Sequence, residues 1–212
     1  MASCIIFCAA DFFGLVEPVG PEDFIIAADG GLRHTQALGI TPNEIIGDFD
    51  SLGYTPQGAT VFPVEKDDTD CMLAIKRGLE RGCRRFVIYG GLGGTRLDHT
   101  MANFQSLGYL ATHGALGFLV GDRSLVCAIK DGGLRFPQGA AGDFSAFCLG
   151  RPARGVTIRG LYYQAENIPL TADFPLAVSN HFTEKAAEIT VKDGCLLLIW
   201  QKQTPLPQAI GL

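Results

Sequence analysis

The sequence predicts an α/β N-terminal domain with a mainly parallel sheet, followed by an all-β, sandwich-like C-terminal domain. A change of hydrophobic period near residue 122 carries that expectation. Before it, short β-branched runs alternate with amphipathic helical stretches, as strands and crossover helices do. After it the helical period is gone, and short apolar runs separated by turn residues predict a sandwich or partial barrel. The domains are expected over residues 1–122 and 123–212.

Strands are expected at residues 4–10, 24–28, 44–47, 60–64, 85–89 and 116–120. Their apolar runs are continuous rather than alternating, as a parallel sheet covered on both faces requires. Residues 32–38 form a short helix that stops at Gly39, a natural C-terminal glycine. Asp68 or Thr69 can cap a second helix that carries Met72, Leu73, Ala74, Ile75 and Leu79 on one side and ends near Gly82. A third helix spans about residues 98–113, with Gly114 beyond its end. In the second half, strands are expected at 125–129, 144–148, 155–158, 187–191 and 195–200. Asp131-Gly132-Gly133 and Asp193-Gly194 read as hairpin turns, because glycine accepts the positive φ such turns demand.

With 212 residues and 47% apolar content the chain can bury a substantial core. A net charge of -5 argues against a nucleic-acid surface, whose affinity comes from basic residues. No apolar run approaches the ~18 residues of a membrane span. The apolar start lacks a basic leader region and is cut by Asp11, so it reads as a first strand rather than a signal peptide. Seven cysteines, an odd number without a CxxC pair, fit buried reduced thiols in a cytoplasmic protein and make zinc a poor expectation.

Three aspartate-bearing segments sit where an apolar run gives way to a turn: Gly47-Asp48-Phe49-Asp50-Ser51, Lys66-Asp67-Asp68-Thr69-Asp70 and Arg96-Leu97-Asp98-His99. If their ends converge, the carboxylates repel, at about 4 kcal/mol for two charges ~4 Å apart with an effective dielectric of ~20. Mg²⁺, which takes a few carboxylates together with water and substrate phosphate oxygens, resolves that conflict. Asp48 and Asp50 follow a strand, where period-2 geometry would point both the same way at the end at which open α/β sheets bind ligands. Asp70, in the first turn of a helix, is the better ligand of its segment, and Asp67 and Asp68 read as helix-start acids. Lys66 could touch phosphate.

Gly90-Gly91-Leu92-Gly93-Gly94-Thr95-Arg96 lies between a strand and a helix, so its backbone could approach a phosphate while the helix start supplies donors. Arg96 adds a guanidinium fork suited to phosphate, and Asp98 can cap, ligate or orient. Ala28-Asp29-Gly30-Gly31 is another acid with glycines at a strand end. His99 reads as local structural help, and Trp200 as core.

Taken in series, Ala28-Asp29-Gly30-Gly31, Ile46-Gly47-Asp48-Phe49-Asp50-Ser51, Lys66-Asp67-Asp68-Thr69-Asp70, Gly93-Gly94 through Arg96-Leu97-Asp98-His99 with Ala102-Asn103, and Val178-Ser179-Asn180 resemble the thiamine pyrophosphokinase (thiamine diphosphokinase) family. Two features depart from its pattern. Thr95 lengthens the usual Gly-Gly-Arg by one residue, and Ala9-Ala10-Asp11-Phe12 replaces a more glycine-rich loop. The resemblance implies transfer of the β,γ-diphosphoryl unit of ATP to the hydroxyl of thiamine, giving thiamine diphosphate and AMP. It also implies a homodimer with the active site at the subunit interface.

On that carry-over Asp48, Asp50 and Asp70 hold Mg²⁺. Asp29, Gly30, Gly31, Lys66, Gly91, Gly93, Gly94 and Arg96 line the ATP site. Ser179 and Asn180 contact thiamine, and catalysis falls to Asp48, Asp50, Asp70, Arg96 and Asp98. The alternatives are a phosphatase or phosphotransferase of the haloacid-dehalogenase type, suggested by Asp48-Phe49-Asp50-Ser51, and a non-catalytic nucleotide- or thiamine-binding sensor.

Overall fold

The computed structural model describes residues 2–65 and 67–211. The chain divides into two compact units, one of residues up to Ser106 together with Gly117–Asp122, the other of Leu107–Leu116 and Arg123 onward.

In the first unit the elements follow as β1 (Cys4–Phe7), β2 (Phe24–Ala28), α1 (Leu32–Ala37), β3 (Glu44–Gly47), β4 (Thr60–Val61), α2 (Asp70–Glu80), β5 (Arg85–Tyr89), α3 (Leu97–Thr112) and β6 (Leu116–Val120), with α3 running on into the second unit. Strand pairing is parallel in the order β4-β3-β2-β1-β5, and β6 neighbours β5. This is the mainly parallel α/β sheet that the unbroken apolar runs predict, and its central strands carry buried side chains throughout, as in Cys4, Ile5, Ile6 and Phe7 of β1.

The first and fourth strands are shorter than expected, ending at Phe7 and Val61. The buried stripe of α2 is Cys71, Ala74, Ile75 and Gly78 rather than the bulkier Met72, Leu73 and Leu79. Small residues at i, i+3, i+4 and i+7 let the helix axis sit close to the sheet. At Gly78 an added Cβ would press on the Phe86 ring and on Cys4 Sγ.

The second unit contains β7 (Ser124–Lys130), β8 (Gly133–Phe136), β9 (Asp143–Cys148), β10 (Ala153–Arg159), β11 (Ala165–Leu170), β12 (Ala177–His181), β13 (Ala187–Thr190), β14 (Cys195–Gln201) and β15 (Gln208–Ile210). Two antiparallel layers result, ordered β12-β9-β14-β7 and β11-β10-β13-β8-β15. Their inner faces share an aromatic cluster. The Phe136 ring lies 5.8 Å from Phe144 and 5.3 Å from Trp200, edge to face in both pairs.

Strands β8, β11, β12 and β15 were not expected from the sequence. β11 and β12 are largely exposed and so lack an apolar run to mark them.

The two Asp-Gly turns are corrections to the sequence reading. Neither closes a hairpin, because β7 and β8 belong to different layers, as do β13 and β14. Each turn is a corner at which the chain changes layer, and the two corners grip each other. The Gly194 N–H donates to Asp131 Oδ1 at 2.8 Å, and the Asp131 N–H to the Gly194 carbonyl at 3.2 Å. Asp131, at φ 49°, has its carboxyl lowered by that backbone donor first and by Lys130 as well. Positive φ serves a corner as well as a hairpin, so the dipeptide alone could not choose between them.

The seven cysteines are free thiols, and among the described residues no helix is long and apolar enough to cross a membrane.

Candidate active site

A cavity of about 690 Å³ opens beyond the C-terminal ends of the parallel strands, where α/β sheets place their ligands. Its walls come from four short segments of the first unit: residues 8–10 after β1, 28–29 after β2, 48–51 after β3 and 90–96 after β5, with the starts of α2 and α3 closing it.

At the end of β2 the chain turns sharply, because Asp29 adopts φ 48°, and its side chain is buried at 7% exposure. The Ser51 hydroxyl donates to Asp29 Oδ2 at 2.6 Å, while Asp29 Oδ1 is buried without a hydrogen-bond partner. A buried oxygen in that condition can be completed by a cation, a water or a donor from a ligand.

The neighbouring acids arrive by a different route from the one expected. β3 ends at Gly47, so Asp48 and Asp50 do not share a pleated face. Phe49 between them takes φ 61° and buries its ring at 3% exposure, and that turn brings the flanking carboxylates together. The close approach also requires Gly47, where a Cβ would meet the backbone of Asp29 at 3.1 Å. Carboxylate oxygens of Asp29, Asp48 and Asp50 lie within 4.8 Å of one another, an all-oxygen donor set suited to a hard divalent cation.

Asp70 faces the same cavity from the first turn of α2, whose N-cap is Thr69, with Oγ1 accepting from the Met72 N–H at 3.2 Å. Of the two capping candidates it is therefore Thr69 that caps. Asp68 lines the cavity and holds Lys76 in an ion pair at 2.6 Å. Lys66 lies outside the described residues.

Gly91, Gly93 and Gly94 line the same cavity. Asn103 of α3, buried at 7% exposure, donates from Nδ2 to the Gly91 carbonyl at 2.7 Å and so fixes the glycine loop. Gly30 and Gly31 lie behind Asp29 in the turn into α1, and neither lines the cavity.

Arg96 reaches the cavity rim, where its guanidinium forks onto the Asp98 carboxylate at 2.7 and 2.9 Å, both side chains being exposed. That hydrogen-bonded cation holds the Asp98 carboxyl down at about 2. So weak a base is a poor proton acceptor near neutral pH. His99 also lines the cavity.

Ser179 and Asn180 lie in the second unit, on β12. Ser179 is exposed at φ 60°, at an irregularity in the pairing with β9, and its N–H donates to Ser145 Oγ at 3.2 Å. Asn180 is buried at 3% exposure. Its Oδ1 accepts from the N–H groups of Tyr163 and His181, both at 2.9 Å, and its Nδ2 donates to the Tyr163 carbonyl at 2.7 Å. Asn180 is thus a clamp on the Tyr162-Tyr163 loop, whose rings are each 62% exposed, with Tyr162 stacked on His181 at 4.5 Å.

Sequence reasoning gave no role to Ser51, Asn103 or the tyrosine pair. For Asn103 a signal was available in its place, with Ala102, in the motif series that carries the family resemblance.

Two family models match the chain. The model described as "Thiamin pyrophosphokinase, catalytic domain" matches residues 19–115, and "Thiamin pyrophosphokinase, vitamin B1 binding domain" matches residues 137–196. The thiamine pyrophosphokinase of Bacillus subtilis (strain 168) is 25% identical over 183 residues, covering 82% of this chain and 85% of that protein. A crystal structure of the Bacillus subtilis thiamine pyrophosphokinase superposes with a TM-score of 0.82 at 22% identity, over 94% of this chain and 98% of the other, which shows the shared fold. A thiamin pyrophosphokinase family protein from Enterococcus faecalis gives 0.79 at 25% identity, over 96% and 100%. These findings do not favour the haloacid-dehalogenase or sensor alternatives. With two models of one family matched in series, and relatives aligned along nearly its whole length, this chain belongs to the thiamin pyrophosphokinase family, enzymes that make thiamine diphosphate from thiamine.

Proposed function

We propose that the diphosphoryl donor is Mg-ATP, that AMP is the second product, and that the carboxylate cavity of the first unit is where the transfer is prepared. The observation that carries this reading is the convergence of Asp29, Asp48 and Asp50 within 4.8 Å, facing a glycine loop across one cavity. An all-oxygen donor set that includes a buried, unpartnered carboxylate oxygen fits Mg²⁺. Asp29, Asp48 and Asp50 would hold the ion, with Asp70, which lines the same cavity, as the further ligand that the resemblance implies. Bound there, Mg²⁺ would neutralise triphosphate charge, the main electrostatic demand of phosphoryl transfer.

The chain's own residues supply position. Gly91, Gly93 and Gly94 let phosphate oxygens approach the backbone, with Asn103 holding that loop in shape. Gly30 and Gly31 set the turn that aims Asp29 into the cavity. Lys66 and Arg96 are the cations for the phosphate chain, and Arg96 must exchange its Asp98 partner for phosphate to serve. Asp98 acts through that exchange as the orienting partner of Arg96. One of the cavity aspartates is the better candidate to receive the hydroxyl proton.

In this reading residues 1–122 are the nucleotide-binding catalytic domain and 123–212 the thiamine-binding and dimerisation domain. Thiamine is held near Ser179 of β12 and the Tyr162-Tyr163 loop that Asn180 fixes. The working form is a cytoplasmic homodimer with its active site at the subunit interface.

One assay tests the donor and the products. With thiamine and Mg-ATP, thiamine diphosphate should appear together with AMP. ADP in place of AMP would mean single phosphoryl transfer, and binding without consumption of ATP would mean a sensor. Sedimentation at micromolar concentration tests the dimer, and a monomer that retains full turnover would remove the shared-site reading.

A further inference from the structure

The loop after β1, Ala9-Ala10-Asp11-Phe12, carries an acid, Asp11. Its position is set by the sheet. The Cys8 N–H donates to the Tyr89 carbonyl at 2.8 Å and the Ala10 N–H to the Gly90 carbonyl at 3.0 Å, so residues 8–10 continue alongside the chain leaving β5. His34 Nε2 holds the Ala10 carbonyl at 2.8 Å, and the Phe12 ring stacks on His34 at 5.5 Å. This registry places Asp11 Oδ2 3.0 Å from the Gly94 N–H, which donates to it. A carboxylate oxygen therefore holds a glycine-loop amide of the kind that would otherwise receive a phosphate oxygen.

The surrounding charge gives that contact a consequence. The cavity lining already includes Asp29, Asp48, Asp50, Asp68 and Asp70, and Arg96 at the rim is engaged by Asp98. Asp11 does not itself line the cavity, but it adds a further negative charge directly behind Gly94, which does.

We propose that Asp11 is a specificity-determining residue, a charge gate that holds the Gly94 amide until a polyphosphate arrives with its divalent cation, and that turns away the bare polyanion. The inference rests on the nucleotide-binding reading above. A bare triphosphate must displace Asp11 against the repulsion of both its charge and the cavity acids. A cation-bound triphosphate meets much less of that repulsion.

Calorimetric titration with ATP, either with excess Mg²⁺ or in chelator, tests this on the full chain and on Asp11→Asn, which keeps an acceptor for Gly94 but removes the charge. Asp11→Asn should bind Mg-ATP about threefold and bare ATP about tenfold more tightly, as expected for removal of one charge a few ångströms from the phosphates. The gain should shrink in 1 M salt, since the carboxylate is exposed and screened. Asp11→Ala should move in the same direction, and Asp122→Asn, an exposed acid outside the cavity, should change neither affinity. Unchanged or weaker Mg-ATP binding by Asp11→Asn overturns the gate, and an equal gain for both ligands overturns its selectivity. A wild-type chain that binds no Mg-ATP overturns the nucleotide reading itself, and the gate with it.

Discussion

The acidic cavity of the first unit and the Ser179-Asn180 region of the second put polar residues to opposite uses. In the cavity, Asp29 is buried with one oxygen unpartnered, and the acids around it are crowded by turns at Asp29 and Phe49 that hold positive φ. On β12, by contrast, the buried amide of Asn180 is bonded to backbone at Tyr163 and His181, and the surface it supports is aromatic and exposed. Crowded charge is relieved when a ligand completes it, which is why the proposed cation site is read in the first region. A satisfied amide is stable by itself, so the second region is built to hold a loop in shape. Removing a side chain should therefore reduce chemistry in one place and stability in the other.

The largest effect should come from the acids. Asp48→Asn or Asp70→Asn should lower turnover by about 10³-fold, in the range seen when a group that stabilises transition-state charge is lost. The melting temperature should not fall. Near wild-type rates at saturating Mg²⁺ would show that these carboxylates hold no catalytic ion.

Next in size is Gly31→Ala, because a Cβ there would overlap the Phe7 carbonyl oxygen. Overpacking against backbone should destabilise by about 3 kcal/mol, read by urea denaturation. An unchanged midpoint would mean that α1 can move off β1 freely.

Asn180→Ala leaves the Tyr163 N–H and carbonyl without their buried partner and should cost about 1–3 kcal/mol. Tyr163→Ala removes an exposed ring and should leave stability unchanged while raising KM for thiamine. If the two variants behaved alike in both assays, the distinction between clamp and contact would collapse.

Glu44→Gln should have the smallest effect. Burial pushes the Glu44 carboxyl up, but hydrogen bonds from Arg77 and Arg81 outweigh it and leave the group lowered from 4.5. A lowered carboxyl contributes stability that is present above its unfolded value and lost as pH falls through the folded one. The variant should therefore lose about 1 kcal/mol near neutral pH, in the range of partly exposed ion pairs. The difference from wild type should begin to shrink as pH falls past about 4, around the unfolded carboxylate value, and vanish only once pH is below the lowered folded value. A gap that stays constant on acidification until the protein unfolds would place the effect in packing rather than charge.

Much of this was legible from residue order. The strands at Phe24–Ala28, Glu44–Gly47, Arg85–Tyr89 and Leu116–Val120 coincide with their apolar runs, because a strand buried on both faces has to be apolar throughout. β11 and β12 left no such mark, being mostly exposed. The aspartates stood out because each ends an apolar run, whereas the grouping of Asp29 with Asp48 and Asp50 depended on Gly47 allowing β3 to close on the Asp29 backbone. The Asp-Gly turns at residues 131 and 193 were visible as turns but not as a bonded pair of corners, since the two lie far apart in the chain.

The sequence by itself determined the two-part class, the mainly parallel character of the first half's sheet and the presence of a carboxylate and glycine site, because periodicity and local turn chemistry are written in neighbouring residues. Only the tertiary structure decided which acids meet, that Asn103 and Asn180 act as clamps, and that Asp11 sits on the glycine loop. Those outcomes depend on which strand ends become neighbours and how closely their backbones approach, and that is settled by packing among distant segments.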